Sequence, residues 1–140
     1  MSKTMQLLTA RCGKIRPDSV ADYIAHGGFS ALKKAMNMDP MEIIHEVIDA
    51  KLLGRGGASY PAGKKWKQLY EIEGTPKYIV CNADEGEPGT FKDKVLLEKD
   101  PLSILEGMAI AGYVFQSHDG YIYIRGEYRE IQKLFQAAID

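Results

Sequence analysis

The clearest pattern of apolar and polar positions in the N-terminal half predicts a helix that begins at Asp39. Asp39 is a typical N-cap residue, and Pro40 suits the first position of a helix. The aliphatic residues between positions 43 and 48 would share one face of this helix, and polar residues would share the other. We expect the helix to continue until Gly54 stops it.

Shorter helical patterns, separated by glycine, precede this helix. Pro17 and the residue after it can open one helix, and the glycine pair at 27–28 closes it. Residues 30–36 fit a further helical turn or two. We therefore predict a helical N-terminal extension over residues 1–38.

The second half of the chain alternates strand and helix patterns. Residues 78–81 and 121–124 are short β-rich runs, and the roughly forty residues between them include a helical pattern from Pro101 to about Phe115. This order predicts a βαβ crossover, which is nearly always right-handed and has parallel strands. Another helix should follow from about Tyr128. Its inward face would consist of Ile131, Leu134, Phe135 and Ala138.

The predicted fold class is α/β, with a Rossmann-like βαβ segment of a parallel sheet after the helical extension. Parallel sheets are normally covered on both faces and continue through several strands. Two strands are few for such a sheet, so we expect it to be incomplete as a domain. Residues 39–140 would then be the N-terminal part of a larger α/β domain.

Composition narrows the class of protein. The chain has 140 residues, of which 45% are hydrophobic and 26% charged, as in an ordinary globular domain. Its formal net charge of -1 gives no general attraction to nucleic acid or anionic lipid. The apolar runs are too short for a spanning helix, so we expect no direct membrane insertion. The first ten residues show no secretory pattern, and the expected location is the cytoplasm.

Cysteine and histidine residues suggest no metal centre. Cys12 and Cys81 stand alone, so their spacing supports neither a zinc site nor an iron–sulfur cluster held by this chain. In a cytosolic chain we expect two separate thiols rather than a disulfide. His26, His45 and His118 have no catalytic partner at recognisable spacing and are expected to be structural or exposed.

A glycine-rich loop at residues 54–63 is the first candidate for binding. Closely spaced glycines can bring backbone N–H groups to phosphate oxygens, although a plain structural turn explains the loop equally well. The sequence matches neither the dinucleotide fingerprint nor the Walker motif. Arg55, Lys64 and Lys65 could pair with a pyrophosphate and Tyr60 could stack on a base; the alternative is a solvated basic surface.

An acidic segment at residues 82–90 is the second candidate. It follows the C-terminal end of the first predicted strand, where open α/β sheets bind ligands. Three carboxylates, Asp84, Glu85 and Glu87, lie within four residues and repel one another. They are either solvated, paired with nearby cations, or hydrogen-bonded to ribose hydroxyls or flavin ring atoms. An exposed acidic turn is the alternative.

Four segments together resemble the NADH-binding flavoprotein subunit of complex I. The same block of motifs occurs in the diaphorase subunits of NAD(P)-reducing hydrogenases and NAD-dependent formate dehydrogenases. The resemblance extends from about Pro17 to the C-terminus, in order and with similar spacing. The segments are GRGGASYPAGKKW at 54–66, CNADEGEPGTFKD at 81–93, LEG at 105–107 and YIYIRGEY at 121–128.

The resemblance implies one pocket for FMN and a nicotinamide nucleotide, NAD(H) or NADP(H). It implies that the glycine loop shapes a cradle, that Lys65 and Asn82 hold phosphate or ribose, and that Tyr60 stacks on the adenine. Asp84 and Glu85 would contact flavin or nucleotide, and Glu87 would lie beside the nicotinamide as the catalytic residue. The cofactor-binding residues so implied are Gly54, Arg55, Gly56, Gly57, Tyr60, Lys65, Asn82, Asp84 and Glu85.

The function implied by the resemblance is hydride transfer from NAD(P)H to FMN and electron transfer to iron–sulfur clusters, in a complex with other subunits that can be membrane-associated. Ser59, Tyr60 and Gln68 depart from the usual family residues, which leaves the choice between NAD and NADP open. The family continues well beyond this length, including a four-cysteine cluster site that this chain does not encode. We therefore expect an N-terminal segment of such a subunit; the alternative is an inactive interaction or scaffold module.

Overall fold

Over residues 6–140, which the computed structural model describes, seven α-helices accompany one pair of parallel strands. The first five residues of the predicted extension lie outside this range. The extension contains α1 and α2, and its boundary after residue 38 stays a prediction. In chain order the elements are α1 (Val20–Ala25), α2 (Ser30–Ala35), α3 (Pro40–Asp49), α4 (Ala62–Glu71), β1 (Tyr78–Ala83), α5 (Lys92–Lys99), α6 (Pro101–Phe115), β2 (Asp119–Ile124) and α7 (Arg129–Ile139).

The helix predicted from Asp39 is α3, and local side chains define its start. The Asp39 carboxylate accepts the N–H of Met41 at 2.9 Å, while the Glu42 carboxylate accepts the N–H of Asp39 at 3.0 Å. These two bonds form a capping box. The helix ends at Asp49, earlier than predicted, because Lys51 takes a left-handed conformation with φ 50°.

The strands pair in parallel, which confirms the predicted βαβ arrangement. The register runs from Tyr78 opposite Asp119 to Ala83 opposite Ile124. Both strands are two residues longer than the β-rich runs indicated. Helix α5, between β1 and α6, was not predicted, because its first residues carry no typical N-cap side chain.

The two faces of the sheet have different surroundings. Cys81, Ala83, Ile122 and Ile124 face a cluster that includes Leu97 of α5 and the inward side chains Ile131 and Phe135 of α7, as predicted for α7. On the opposite face, Tyr78, Val80, Tyr121 and Tyr123 are each at least half exposed. This second face is bare in the described structure, whereas parallel sheets are normally covered on both faces.

The predictions of two separate thiols and of structural or exposed histidines agree with the structure. Cys12 and Cys81 are separate, half-buried thiols, and burial raises the pKa of both. His26, His45 and His118 are exposed. Among the described helices, none has the length and apolar character needed to cross a bilayer.

A buried carboxylate joins the N-terminal extension to the rest of the domain. Glu106, on α6, is only 7% exposed. It accepts the hydroxyl of Tyr23 and the N–H groups of Phe29 at 3.0 Å and Leu32 at 2.9 Å. The residue before α2, Phe29, offers no capping side chain and has φ 59°, so Glu106 caps α2 from a different helix.

A second contact reinforces this attachment. Arg11 donates from Nε to Asp100 Oδ2 at 2.9 Å, and Asp100 is almost completely buried at the start of α6. The Arg11 guanidinium also lies 4.7 Å from the centre of the Tyr23 ring. The extension is therefore held to α6 by two buried carboxylates that Arg11 and Tyr23 connect.

Burial alone would raise the pKa of Glu106. The hydrogen bonds from Tyr23, Leu32 and Phe29 outweigh burial, with help from the charge of Arg11, and the pKa lies below its usual 4.5. Burial and the neighbouring Glu106 raise the pKa of the Tyr23 phenol. At neutral pH the pair is therefore a phenol that donates to a carboxylate.

Glu106→Gln should lower the free energy of unfolding by about 2 kcal/mol, because an amide keeps one acceptor but turns N–H groups toward donors. Glu130→Gln is a suitable control, since its side chain is 85% exposed. This control should stay within about 0.5 kcal/mol of the wild type. Denaturant unfolding at pH 7 measures both, and equal losses would contradict the capping role.

The same variant should change the dependence of stability on pH. Because the folded pKa of Glu106 is lowered, its ionisation stabilises the fold above the unfolded pKa. That contribution disappears as the pH falls through the folded pKa. Between about pH 5 and pH 3, the wild type should lose more stability than Glu106→Gln. Parallel unfolding curves over this interval would show that Glu106 does not carry the effect.

Candidate functional site

A cleft of about 370 Å³ lies where the glycine loop faces the acidic segment, at the C-terminal end of β1. Its volume falls in the range of small-molecule sites. Two candidate regions that are separate in the sequence therefore form one site. The cleft is lined by Arg55, Gly56, Gly57, Asn82, Asp84, Glu85, Gly86, Glu87, Thr90, Lys92 and Asp93.

Backbone contacts close the glycine loop at its base. Leu53 and Pro61 form an antiparallel bridge, and the N–H of Gly54 donates to the carbonyl of Tyr60 at 2.8 Å. A Cβ on Gly54 would lie 3.3 Å from the same carbonyl oxygen, so a larger residue would strain this contact. Gly54 thus shapes the loop, although it does not line the cleft.

Two glycines at the tip of the loop leave space on the cleft side. A Cβ on Gly56 or Gly57 would meet no atom within 4 Å. Gly57 has φ 109°, which L-residues rarely adopt. In residues 6–140, no acceptor takes the backbone N–H of either glycine. These N–H groups are therefore available to an anionic ligand, as in other backbone anion sites.

The last glycine of the loop has a different role. Gly63 lies in the first turn of α4, against α3, and it is buried. A Cβ there would lie 2.7 Å from the backbone nitrogen of Ile48 and 2.8 Å from its Cα. Gly63 is therefore required for close packing of the two helices and is not part of the cleft.

Glu85 also lines the cleft, but its carboxylate is bound to the start of α5. Its Oε1 accepts the N–H of Asp93 at 2.7 Å, and its Oε2 accepts the N–H of Lys94 at 2.9 Å. The backbone of Glu85 is left-handed, with φ 47°. Glu85 thereby caps α5 in place of Phe91, which makes no side-chain capping bond.

Asp84 and Glu87 differ from Glu85 because their carboxylates remain open. Neither carboxylate accepts a hydrogen bond or forms an ion pair within the part of the chain that the structure describes, and both residues line the cleft. The Asn82 side chain accepts the N–H of Asp84 at 3.2 Å and fixes the start of the turn. The Thr90 hydroxyl donates to the carbonyl of Glu87 at 2.5 Å and fixes its end.

Arg125 supports the acidic turn from the end of β2. Its Nη1 donates to the carbonyl of Glu85 at 3.1 Å. The remaining guanidinium nitrogens hold Glu127, with Nε 3.1 Å from Oε2 and Nη2 2.9 Å from Oε1. These hydrogen bonds from Arg125 lower the pKa of Glu127 to about 2. The Arg125 guanidinium is therefore held between the carboxylate of Glu127 and the carbonyl of Glu85.

Charge is distributed unevenly around the cleft. Arg55 and the free glycine N–H groups lie on one side, and the acidic turn lies on the other. Lys92 also lines the cleft, but its Nζ is 2.6 Å from the carboxylate of Asp93. A phosphate is therefore favoured on the glycine side, while hydroxyl and N–H donors are favoured at the open carboxylates.

Besides Gly54, two of the predicted binding residues lie outside the cleft. Lys65, on α4, lines a separate cavity together with Tyr78 and Val80. Tyr60 is 42% exposed, and its hydroxyl donates to Gln68 Oε1 at 3.1 Å. The cleft thus contains seven of the ten candidates: Arg55, Gly56, Gly57, Asn82, Asp84, Glu85 and Glu87.

Sequence reasoning gave no role to five residues that build the site. Gly86, Thr90, Lys92 and Asp93 line the cleft, and Arg125 braces its acidic turn. All five belong to the motif segments, and this membership was the only signal in the sequence that could have identified them. Within residues 6–140, no group of three or more histidine, cysteine or acidic side chains is arranged to hold a metal ion.

Comparisons with known proteins match most of the chain. A family model described as the Nuo51 FMN-binding domain matches residues 47–140. An NADH-quinone oxidoreductase subunit of Aquifex aeolicus is 47% identical over 137 residues, which are 98% of this chain and 32% of that protein. The NADP-reducing hydrogenase subunit HndC of Solidesulfovibrio fructosivorans is 44% identical over 138 residues, 99% of this chain and 28% of that protein.

A solved structure shows a similar fold. The crystal structure of a NAD+-reducing NiFe-hydrogenase in the air-oxidized state aligns with a TM-score of 0.68 at 42% identity. The alignment covers 71% of this chain and 18% of that chain. This similarity agrees with the α/β class derived from the sequence. The chain spans about a third or less of the length of these relatives.

Gly63→Ala and Gly56→Ala should separate the two roles of glycine in this region. Gly63→Ala should lower the free energy of unfolding by about 1–3 kcal/mol, because the new methyl group would push α4 away from Ile48. Gly56→Ala meets no neighbouring atom and requires no left-handed backbone, so it should stay within about 0.5 kcal/mol. Denaturant unfolding tests both variants, and a larger loss for Gly56→Ala would be contrary to the described packing.

Proposed function

The chain belongs to the family of the Nuo51 FMN-binding domain, as its motifs indicated, and we propose that its cleft forms part of a site for FMN and a nicotinamide nucleotide. One observation carries the proposal: a glycine loop with free N–H groups and two open carboxylates line the same cleft. Each side suits a different part of such a ligand, one its phosphate and the other its hydroxyl and N–H groups.

On the glycine side, Gly56 and Gly57 would donate backbone N–H groups to phosphate oxygens, and Arg55 would add a positive charge. Gly54 would keep the loop closed at its base. Asn82 also lines the cleft and would contact phosphate or ribose. These residues bind and orient, because none is a nucleophile or a metal ligand.

On the acidic side, Asp84 would accept hydrogen bonds from flavin or ribose donors. Glu85 would contribute to the wall of the site through its backbone, since its carboxylate is bound to α5. Glu87 is exposed at the edge of the cleft, where we place the nicotinamide. Its negative charge there would oppose both a nucleotide phosphate and electron density on a reduced flavin.

Tyr60 and Lys65 would serve an outer part of the site. The bond from the Tyr60 hydroxyl to Gln68 fixes one end of the ring, and Tyr60 remains 42% exposed, so we propose that adenine stacks on it. Lys65 lines a separate cavity that also includes Val80, and Val80 lies two residues before Asn82 in β1. A phosphate that extends beyond the cleft toward that cavity would meet Lys65.

The reaction that we propose is oxidation of NAD(P)H by a flavoprotein subunit. When bound, FMN supplies the capacity to accept a hydride and to release electrons singly to iron–sulfur clusters. The protein residues contribute orientation and electrostatics. Since the named relatives are subunits of NADH-quinone oxidoreductases and NAD(P)-reducing hydrogenases, we propose other subunits of such a redox complex as partners. A membrane association would come through that complex.

Glu87→Gln tests the proposed site in a flavin-containing form of the protein. Removing the charge should tighten NADH binding and raise the flavin midpoint potential, with each effect about 1 kcal/mol or more. The fold should be unaffected, because an exposed turn residue changes to one of similar volume.

Glu73→Gln is the matched control for this experiment, since Glu73 is equally exposed but lies before β1 and outside the cleft. We expect wild-type values for it, within about 0.5 kcal/mol. Equilibrium titration with NADH and spectroelectrochemical reduction measure the two quantities. If both are unchanged in Glu87→Gln, Glu87 does not belong to the active site.

The 140-residue chain by itself should purify without FMN and show no NADH:ferricyanide reductase activity. The reason is that the cleft is open and the chain spans about a third or less of its relatives. Absorbance near the flavin bands and a ferricyanide assay are sufficient measurements. A yellow preparation that oxidises NADH would refute this expectation.

A further inference from the structure

We propose that Glu85 and Arg125 are positioning residues of this site, which clamp the acidic turn so that Asp84 and Glu87 face the cleft while the charge of Glu85 disfavours anions at the start of α5. The inference rests on the proposed function. It assigns a role to Arg125, and it replaces a direct side-chain contact of Glu85 with the cofactor by a structural action on its neighbours.

The first argument is the conformation of the turn. Glu85 has φ 47°, which is uncommon for a residue with a side chain and must be held in place by contacts. Its carboxylate bonds to two N–H groups of α5, and its carbonyl accepts from Arg125. The residue is therefore held from both ends.

The second argument is the position of Arg125. Ala83 and Ile124 are paired in the parallel register, so Asp84 and Arg125 leave their strands side by side. The two bonds to Glu127 fix the guanidinium and leave Nη1 for the carbonyl of Glu85. The turn is thus tied to α5 on one side and to the end of β2 on the other.

The third argument concerns helix α5, whose first residues line the cleft. A helix N-terminus attracts anions through its free N–H groups. Here the N–H groups of Asp93 and Lys94 already bind the internal carboxylate of Glu85. The negative charge of Glu85 therefore disfavours a ligand phosphate at the start of α5, whereas the glycine loop offers free N–H groups without a carboxylate bound to them. Glu85 would thereby determine the orientation of the ligand in the cleft.

The test uses the longest natural form of the protein and compares Glu85→Ala, Glu85→Gln, Arg125→Lys and the Glu85→Ala/Arg125→Lys pair. FMN affinity is measured by flavin fluorescence, the flavin midpoint potential by spectroelectrochemistry, and helix capping by amide hydrogen exchange at Asp93 and Lys94. Glu98→Gln is the matched control, because Glu98 lies on α5 outside the cleft, where it pairs with Lys94 at 3.6 Å.

Glu85→Ala should accelerate exchange at the two amides about tenfold, weaken FMN binding about tenfold and shift the flavin potential. Glu85→Gln should be intermediate, since its amide oxygen can still accept one of the bonds. Arg125→Lys should weaken FMN binding similarly, and the pair should lose less than the product of the single losses, because both residues hold one turn. Glu98→Gln should behave as the wild type.

Two failures are distinguishable. A wild-type protein that binds no FMN would refute the proposed function. A Glu85→Ala protein with fast amide exchange but wild-type FMN affinity and potential would show that the cap only stabilises α5, and would overturn this inference alone. If Glu85→Ala does not fold, Glu85→Gln and Arg125→Lys provide the test instead. Unchanged FMN affinity and flavin potential in both of these variants would also overturn the inference.

Discussion

The parallel pairing of β1 and β2 is the constraint on which the rest of the molecule depends. Because parallel strands end at the same edge, Ala83 and Ile124 lie side by side. The segments that follow them, the acidic turn and the segment that begins with Arg125, are thereby neighbours although they are about forty residues apart in the chain. The crossover that parallel strands require supplies α5 and α6, which cover one face of the sheet.

Two carboxylates that cap helices from a distance secure the parts around this sheet. Glu106 accepts N–H groups at the start of α2, and Glu85 accepts N–H groups at the start of α5. A carboxylate that is removed from water, fully as in Glu106 or partly as in Glu85, needs hydrogen-bond donors, and the free N–H groups of a helix start supply them. Each cap therefore satisfies two groups at once and joins two elements that are not consecutive.

Local features of the sequence were sufficient to predict much of the fold. The N-cap at Asp39 and the β-rich runs act within a few residues, so α3, both strands and the parallel arrangement could be derived directly. Helix α5 could not, because its cap comes from Glu85, eight residues before Asp93. Similarly, Gly63 looked like part of a binding loop, whereas its contact with Ile48 depends on how two helices pack. In the sequence, Asp84 and Glu85 are adjacent carboxylates with the same chemistry. Only the structure shows that Glu85 is hydrogen-bonded to α5 whereas Asp84 is open to the cleft.

The fixed base of the glycine loop has a consequence for how tightly the cleft can bind. The bridge between Leu53 and Pro61 closes the loop, and the contact of Gly63 with Ile48 holds the helix that follows it against α3. A mobile loop would lose conformational entropy when it closed around a ligand, and that loss would weaken the binding. Here the base of the loop is ordered when the chain folds. The loop therefore presents its N–H groups in advance, and more of the interaction energy with a phosphate remains as affinity.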